Sequence, residues 1–195
     1  GTLTGTTSSL QGNILNNAAV VFTGGGTYAG NMTGTGSLNV SATGLLILSG
    51  TNAYTGGTTI NSGTLQGNAS SLPGNILNNA AVVFDQSTTG TYAGAITGTG
   101  SLTKTGAGLL SLTGNSVVGG GTTVSGGVLA VNGSLTSNVT VANGGALGGS
   151  GGLIAVDAAG NVALPFNCDG MYRGRIGADG RALTAIYREA PAAHG

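Results

Sequence analysis

Eleven residues, GNILNNAAVVF, stand at 12–22 and again at 74–84. No other feature constrains the chain as strongly. A fixed internal period marks units that stack on one another rather than one closed core. The match also extends in both directions. TLTGTTSSLQGNILNNAAVVF at 2–22 aligns with TLQGNASSLPGNILNNAAVVF at 64–84, a shift of 62. GTYAG at 26–30 returns at 90–94 and TGTGSL at 33–38 returns at 97–102, both shifted by 64. GLLILSGTNAYTGGTTINSGTLQGN at 44–68 aligns with GLLSLTGNSVVGGGTTVSGGVLAVN at 108–132, again by 64. The drift of two residues places an insertion near DQSTTG, 85–90. The units are therefore about 2–63, about 64–127 and a partial third, about 128–151.

Within each unit the text reads as short strands. AAVVF, GSLNV, LLILSG, TTIN and NVTVAN place Val, Ile, Leu and Thr between Gly and Asn turns. In NVTVAN, Val139 and Val141 share one side and Thr140 takes the other. No helical stripe of useful length appears. Gly is 41 of 195 residues, and each Gly inside a helix costs about 1 kcal/mol. The expected fold is all-β: a right-handed parallel β-helix with about three coils of roughly 21 residues per unit, in the size range of solenoid repeats. Its inward Val, Leu and Ile form a continuous core.

Charge divides the chain. Before residue 157 the charged residues are Asp85 and Lys104; the other eight lie between Asp157 and Glu189. A boundary is expected near 151, separating repeats at 1–151 from a tail at 152–195. Neither part holds a basic run, so the phosphate-neutralising interaction on which nucleic-acid binding rests has no source. With Cys168 as the single cysteine, no intrachain disulfide forms. No stretch reaches the 18 or so apolar residues of a spanning helix, and the text opens mid-repeat without a signal peptide. It is read as a fragment or processed piece.

LSGTNAYTGGTTINSGTLQ at 48–66 resembles the passenger-associated repeat of autotransporters, secreted proteins of Gram-negative bacteria. KTGAGLLSLTGNSVVGGGTTVSGGVLAVNG at 104–133 resembles another copy, and VANGGALGGSG at 141–151 their Gly-rich continuation. The resemblance implies a β-helical stalk or adhesin exported to the cell surface. It also implies a translocating outer-membrane barrel, whose alternating strands and aromatic girdles are not in this text. The partners it implies are host-surface contacts or self-association.

From Gly152 the text changes to GLIAVDAAGNVALPFNCDGMYRGRIGADGRALTAIYREAPAAHG. LIAVD and NVALPF, joined by AAG, read as a hairpin. ALTAIYRE at 182–189 reads as a third strand, and RGRIGADGR between them as a charged loop. The segment resembles the C-terminal end of bacterial isoaspartyl peptidases, the plant-type asparaginases, departing from their pattern at Cys168 and Asp169. That family implies N-terminal nucleophile hydrolysis, in which a newly exposed Thr attacks an amide. Its nucleophile and substrate-holding residues lie upstream of the matched text, so no catalytic residue is carried over. The chain then reads as a hybrid with its seam at GGSGGLIAVD, 148–157. The alternative functions are a hydrolase-related fragment and a chimera with no evolved function as a whole.

No catalytic, cofactor-binding or metal-binding residue is assigned, and no cofactor is expected. Cys168 and His194 make no metal site. Asp157, Asp169, Asp179 and Glu189 alternate with Arg173, Arg175, Arg181 and Arg188 as a solvated charged loop does. The Gly-rich strings lack the Lys and strand–loop–helix setting of a phosphate loop. The pairs Asn16–Asn17 and Asn78–Asn79 are expected to stack as amide ladders bonded to the next coil. Tyr28 and Tyr92 are expected to pack beside the helix, and the Thr-rich strings are too irregular for an ice-binding array.

Overall fold

The computed structural model describes residues 1–149 and, beyond them, the backbone of four short strands: Ala155–Val156, Val162–Ala163, Met171–Ile176 and Ala182–Tyr187. Residues 1–149 form a β-solenoid of about eight coils, all strand and turn, in which every strand pair is parallel. Among the described residues no helix is long and apolar enough to cross a membrane.

The chain winds over three faces in a fixed order. Face 1 stacks Thr2–Gly5, Ala19–Phe22, the start of Ser37–Leu48, the start of Thr58–Gly67, Ile76–Asn78, Ile96–Gly98, Asn115–Val118 and Ser134–Thr136. Face 2 stacks Gly26–Tyr28, the ends of Ser37–Leu48 and Thr58–Gly67, then Ala81–Asp85, Ser101–Thr105, Thr122–Val124 and Val139–Val141. Face 3 holds Ile14–Leu15, Met32–Gly34 and Ala53–Tyr54. After an interruption it continues with Gly90–Tyr92, Leu109–Leu112, Gly127–Val131 and Gly145–Gly148. The turn at 68–72 fills the gap. The Asn52 amide donates back to it, N to Ser70 O at 3.1 Å and Nδ2 to Ser71 O at 2.7 Å. From above, Ala69 N donates to Gln86 Oε1 at 3.0 Å.

The coils are shorter than the roughly 21 residues expected. Along face 1, successive partners run Thr2, Ala19, Ser37, and Leu38, Thr58, Ile76, Ile96, so each coil takes between 17 and 20 residues. A repeat of 62 or 64 therefore does not fill three coils. It fills three coils and one further face. Ile14–Leu15 lies on face 3, and its sequence copy Ile76–Asn78 lies on face 1. Ala19–Phe22 lies on face 1 and its copy Ala81–Asp85 on face 2. Gly26–Tyr28 lies on face 2 and its copy Gly90–Tyr92 on face 3. The same text is thus reused one face further round. This works because all three faces ask for the same thing, an alternating strand with one apolar side.

The inward side chains make one continuous core. It runs from Val20, Phe22 and Met32 through Leu46, Ile60 and Phe84 to Leu129 and Leu147. Burying each Leu or Phe contributes about 1.5–3 kcal/mol, so a narrow solenoid with few aromatics still holds. Phe22 packs on Tyr28 with ring centroids 5.3 Å apart, and Phe84 on Tyr92 at 5.0 Å. Both tyrosines lie inside the prism, not beside it as expected, and are almost fully buried.

Corners are tight. The coil beneath leaves no room for a side chain at several of them. A Cβ on Gly30 or Gly94 would collide with the carbonyl oxygen of Gly12 or Gly74. Gly106, at φ +75°, closes the turn that separates Ser101–Thr105 from Leu109–Leu112. In the first unit the matching text has no such break, and Ser37–Leu48 runs on through a bulge.

In the tail, Ala155–Val156 pairs antiparallel with Val162–Ala163, as expected of a hairpin. Met171–Ile176 pairs antiparallel with Ala182–Tyr187. The second pair corrects the reading of RGRIGADGR as wholly loop, since Arg173 and Arg175 lie within a strand. Their alternation with Tyr172, Gly174 and Ile176 is a strand pattern that the charges obscured.

Candidate functional site

Outward side chains of residues 1–149 form the surface available to partners, and it is nearly uncharged. Asp85 is exposed; its carboxylate accepts from Thr105 Oγ1 at 3.2 Å and Gln66 Nε2 at 3.4 Å. Lys104 is fully buried. It is the sequence copy of Val40, which faces inward on face 1 between Phe22 and Ile60; Lys104 takes the matching inward place one face on, between Phe84 and Val124. Its Nζ donates to the carbonyls of Thr105 at 2.6 Å, Gly106 at 2.9 Å, Gly126 at 3.1 Å and Gln86 at 3.5 Å. Burial lowers the Lys104 pKa, and the nearby Asp85 carboxylate partly offsets the shift. The ammonium holds together the corner where the chain turns at Gly106, a structural task that sequence reading missed. The signal was a lone Lys at an inward position of an alternating strand, SLTKT.

The asparagines act on the backbone, not on each other. Asn16 Nδ2 donates to Ser37 O, and Asn78 Nδ2 to Ser101 O, both at 2.8 Å. These bonds reach the next coil, as expected, but they do not form a side-chain ladder. Asn52 bridges three coils: its Oδ1 accepts from Met32 N at 2.7 Å while Nδ2 reaches Ser71 O. Tyr28 and Tyr92 donate to the Gly12 and Gly74 carbonyls at 2.6 and 2.5 Å, and Tyr54 shares a 2.7 Å bond with Thr58 Oγ1. Burial raises the pKa of all three, and for Tyr92 the neighbouring Tyr54 raises it further.

Each unit shows one outward apolar stripe. In the first, Leu15, Thr33 and Ala53 stack on face 3. In the second, Leu77, Thr97 and Val117 stack on face 1. Leu15 is 73% exposed, Leu77 45% and Val117 53%, among the most exposed large apolar residues described. Each stripe borders a shallow groove. One is lined by Leu3, Ile14, Leu15, Asn17 and Val20, the other by Thr59, Asn75, Ile76, Leu77 and Thr97. The grooves share the copied Ile-Leu pair.

Cys168, His194, Asp157, Asp169, Asp179, Glu189, Arg181 and Arg188 lie outside the described residues. Among the described residues, no three His, Cys, Asp or Glu side chains come together.

Residues 43–66 and 102–131 match the passenger-associated-transport-repeat family. The chain is 52% identical over 82 residues to the adhesin BmaC autotransporter of Brucella suis biovar 1, which covers 40% of this chain and 2% of the adhesin. It is also similar to isoaspartyl peptidases: 68% identical over 44 residues to that of Salmonella typhimurium and 66% over 44 residues to that of Escherichia coli K12. Those matches cover 23% of this chain and 14% of each peptidase. The chain thus spans about a seventh of the peptidases and a fiftieth of the adhesin. No solved structure matches the chain. The repeats and the adhesin relative mark a surface-passenger fragment of a bacterial protein, secreted or held at the cell surface.

Proposed function

Starting from a solenoid that carries two passenger-associated transport repeats, we propose that this chain works without catalysis, as a stretch of stalk and contact surface in an autotransporter passenger of a Gram-negative bacterium. The observation that carries the reading is that the matched repeats are the coils themselves. Residues 43–66 and 102–131 supply consecutive strands of the prism and its inward core. A solenoid lengthens by adding coils, at about 4.8 Å each, so a repeat of three and one-third coils extends the rod by roughly 16 Å. Rigidity comes from the unbroken core, and adhesion to host surfaces or to other copies uses the outward rungs. Protease treatment of intact cells expressing the full-length parent protein tests this. Loss of an epitope placed at the exposed Gly44 supports the reading, and an epitope protected until the cells are lysed refutes it.

The peptidase match supports a second reading, a fragment of an amidohydrolase. It spans 14% of each relative, and the Thr-rich coils are engaged in stacking. The non-catalytic reading predicts no ammonia from asparagine and no cleavage of β-aspartyl dipeptides. Either activity in the purified chain would overturn it.

A further inference from the structure

We propose that each repeat carries a subsite for an uncharged, N-acetylated glycan, built on Leu15 in the first unit and on Leu77 in the second, and that the two subsites face different sides of the rod. The inference deepens the surface reading above and rests on it for access to glycans.

Three observations converge on the same copied text. The first is a row of fixed donors. Asn13 Oδ1 accepts from Asn31 N at 2.9 Å, and Asn31 Oδ1 accepts from Thr51 N at 2.8 Å. Asn17 Oδ1 accepts from Thr35 N at 3.3 Å. In the second unit Asn75 Oδ1 accepts from Ala95 N at 2.9 Å. These side chains are exposed. Each is held by its oxygen against the next coil, and its Nδ2 group has no partner among the described residues. The donors are oriented before any ligand arrives, which removes part of the ordering cost of binding.

The second observation is the apolar rung between donors. Leu15 stands two residues from Asn13 and from Asn17, and Leu77 two residues from Asn75 and from Asn79, so all share the outward side. The groove at Leu15 takes in Asn17, together with Gly1 and Thr2, and the groove at Leu77 takes in Asn75. The third is charge. With Lys104 buried, residues 1–149 offer no exposed cationic side chain, and Asp85 is their one exposed side-chain charge. Phosphate, sulfate and carboxylate ligands find no cationic side chain on these coils to pair with. An N-acetylated glycan presents the complementary chemistry: carbonyl and hydroxyl oxygens to accept from the amides, and a methyl and C–H faces to pack on leucine.

The advance of one face per repeat sets the arrangement. The two subsites lie roughly 16 Å apart along the rod and one face apart around it. A single strand laid along one face meets only one of them, so the chain binds two strands and can bridge them.

Isothermal titration of the purified chain, with Arg173, Arg175, Arg181 and Arg188 of the tail changed to Gln, against a neutral N-acetylglucosamine tetramer tests this, with a glucose tetramer and heparin as comparisons. The expected result is two equivalents of the N-acetylated oligomer per chain and no heat from heparin. Leu77→Glu is expected to bind one equivalent, and Leu15→Glu with Leu77→Glu none, with unchanged circular dichroism. Both leucines are exposed, so these variants keep the fold. Absence of binding, binding unaltered in the double variant, equal binding of the glucose tetramer, or a preference for heparin would each overturn the proposal. Protection of the protein from protease on cells would instead overturn the surface reading, leaving the titration result intact.

Discussion

Asn16 and Asn78 make the same pair of hydrogen bonds on different faces of the prism. Each Nδ2 donates to a serine carbonyl one coil on, Ser37 or Ser101, at 2.8 Å. Each Oδ1 accepts from the backbone N–H two residues on, Ala18 or Ala80, at 3.2 Å. Local chemistry therefore travels with the sequence, while position around the rod advances by one face. Asn78→Ala leaves the Ser101 carbonyl and the Ala80 amide without this partner. An unsatisfied buried group costs about 1–3 kcal/mol, and the unfolding midpoint is expected to fall accordingly. The exposed neighbour variant Asn79→Ala is expected to change stability by less than about 0.5 kcal/mol.

Lys104 closes a corner with its charge. Lys104→Met keeps the length of the side chain and removes the donor from the carbonyls of Thr105, Gly106 and Gly126. The expected loss is about 1–3 kcal/mol, read as a lower denaturant midpoint at unchanged slope. Stability equal to or above that of the parent chain would show that the carbonyls are satisfied without the ammonium.

Glycine is required where coils touch, not everywhere that it occurs. A Cβ on Gly94 collides with the Gly74 carbonyl, whereas nothing lies within 4 Å of one on Gly44. Gly94→Ala is expected to cost about 1–3 kcal/mol through overpacking. Gly44→Ala is expected to be neutral within about 0.5 kcal/mol. Thermal unfolding of the two variants side by side makes the comparison.

Alkali is expected to unfold the solenoid. Burial raises the pKa of Tyr54 and Tyr92 in the folded chain. From the unfolded tyrosine value, about 10, upward, the unfolded state gives up protons that the folded state keeps. Stability then falls with pH, by up to about 1.4 kcal/mol per pH unit for each tyrosine. Lys104 acts in the opposite sense, because its lowered pKa makes the folded state release its proton first. The lysine contribution ends at the unfolded lysine value, about 10.4, so above it the tyrosines set the slope. In a chain with the tail residues Tyr172 and Tyr187 changed to Phe, tyrosinate absorbance appearing together with loss of the β-sheet signal above about pH 10 confirms the order, and tyrosinate forming while the chain is still folded refutes it.

Much of this was legible in the text. The duplicated GNILNNAAVVF announced a solenoid, and alternation in segments such as NVTVAN announced strands with one apolar side. The coil length was not legible. Because all three faces use the same alternating pattern, nothing in Ala19–Phe22 or Ala81–Asp85 says which face it occupies. Only the register, Ala19 on Ser37 and Ala81 on Ser101, reveals the extra face. The structural asparagines were seen as pairs, but their partners are backbone groups a coil away and carry no residue signature. The donor rows escaped notice for the same reason, since Asn13 and Asn75 look like ordinary turn residues until their oxygens are found on the next coil.

The advance of one face per repeat is the centre of this account, and disulfide trapping tests it most directly. In a Cys168→Ser background, Thr59→Cys is combined with Leu77→Cys, its partner in the next coil of face 1, or with Ala80→Cys, the partner that an even coil of 21 residues would place there. Neighbouring strands lie about 4.8 Å apart, within the Cα range of a disulfide, about 4.4–6.8 Å. The account predicts rapid oxidation of the Thr59–Leu77 pair and none of the Thr59–Ala80 pair. The reverse pattern would put the repeat in phase with the coil and contradict it.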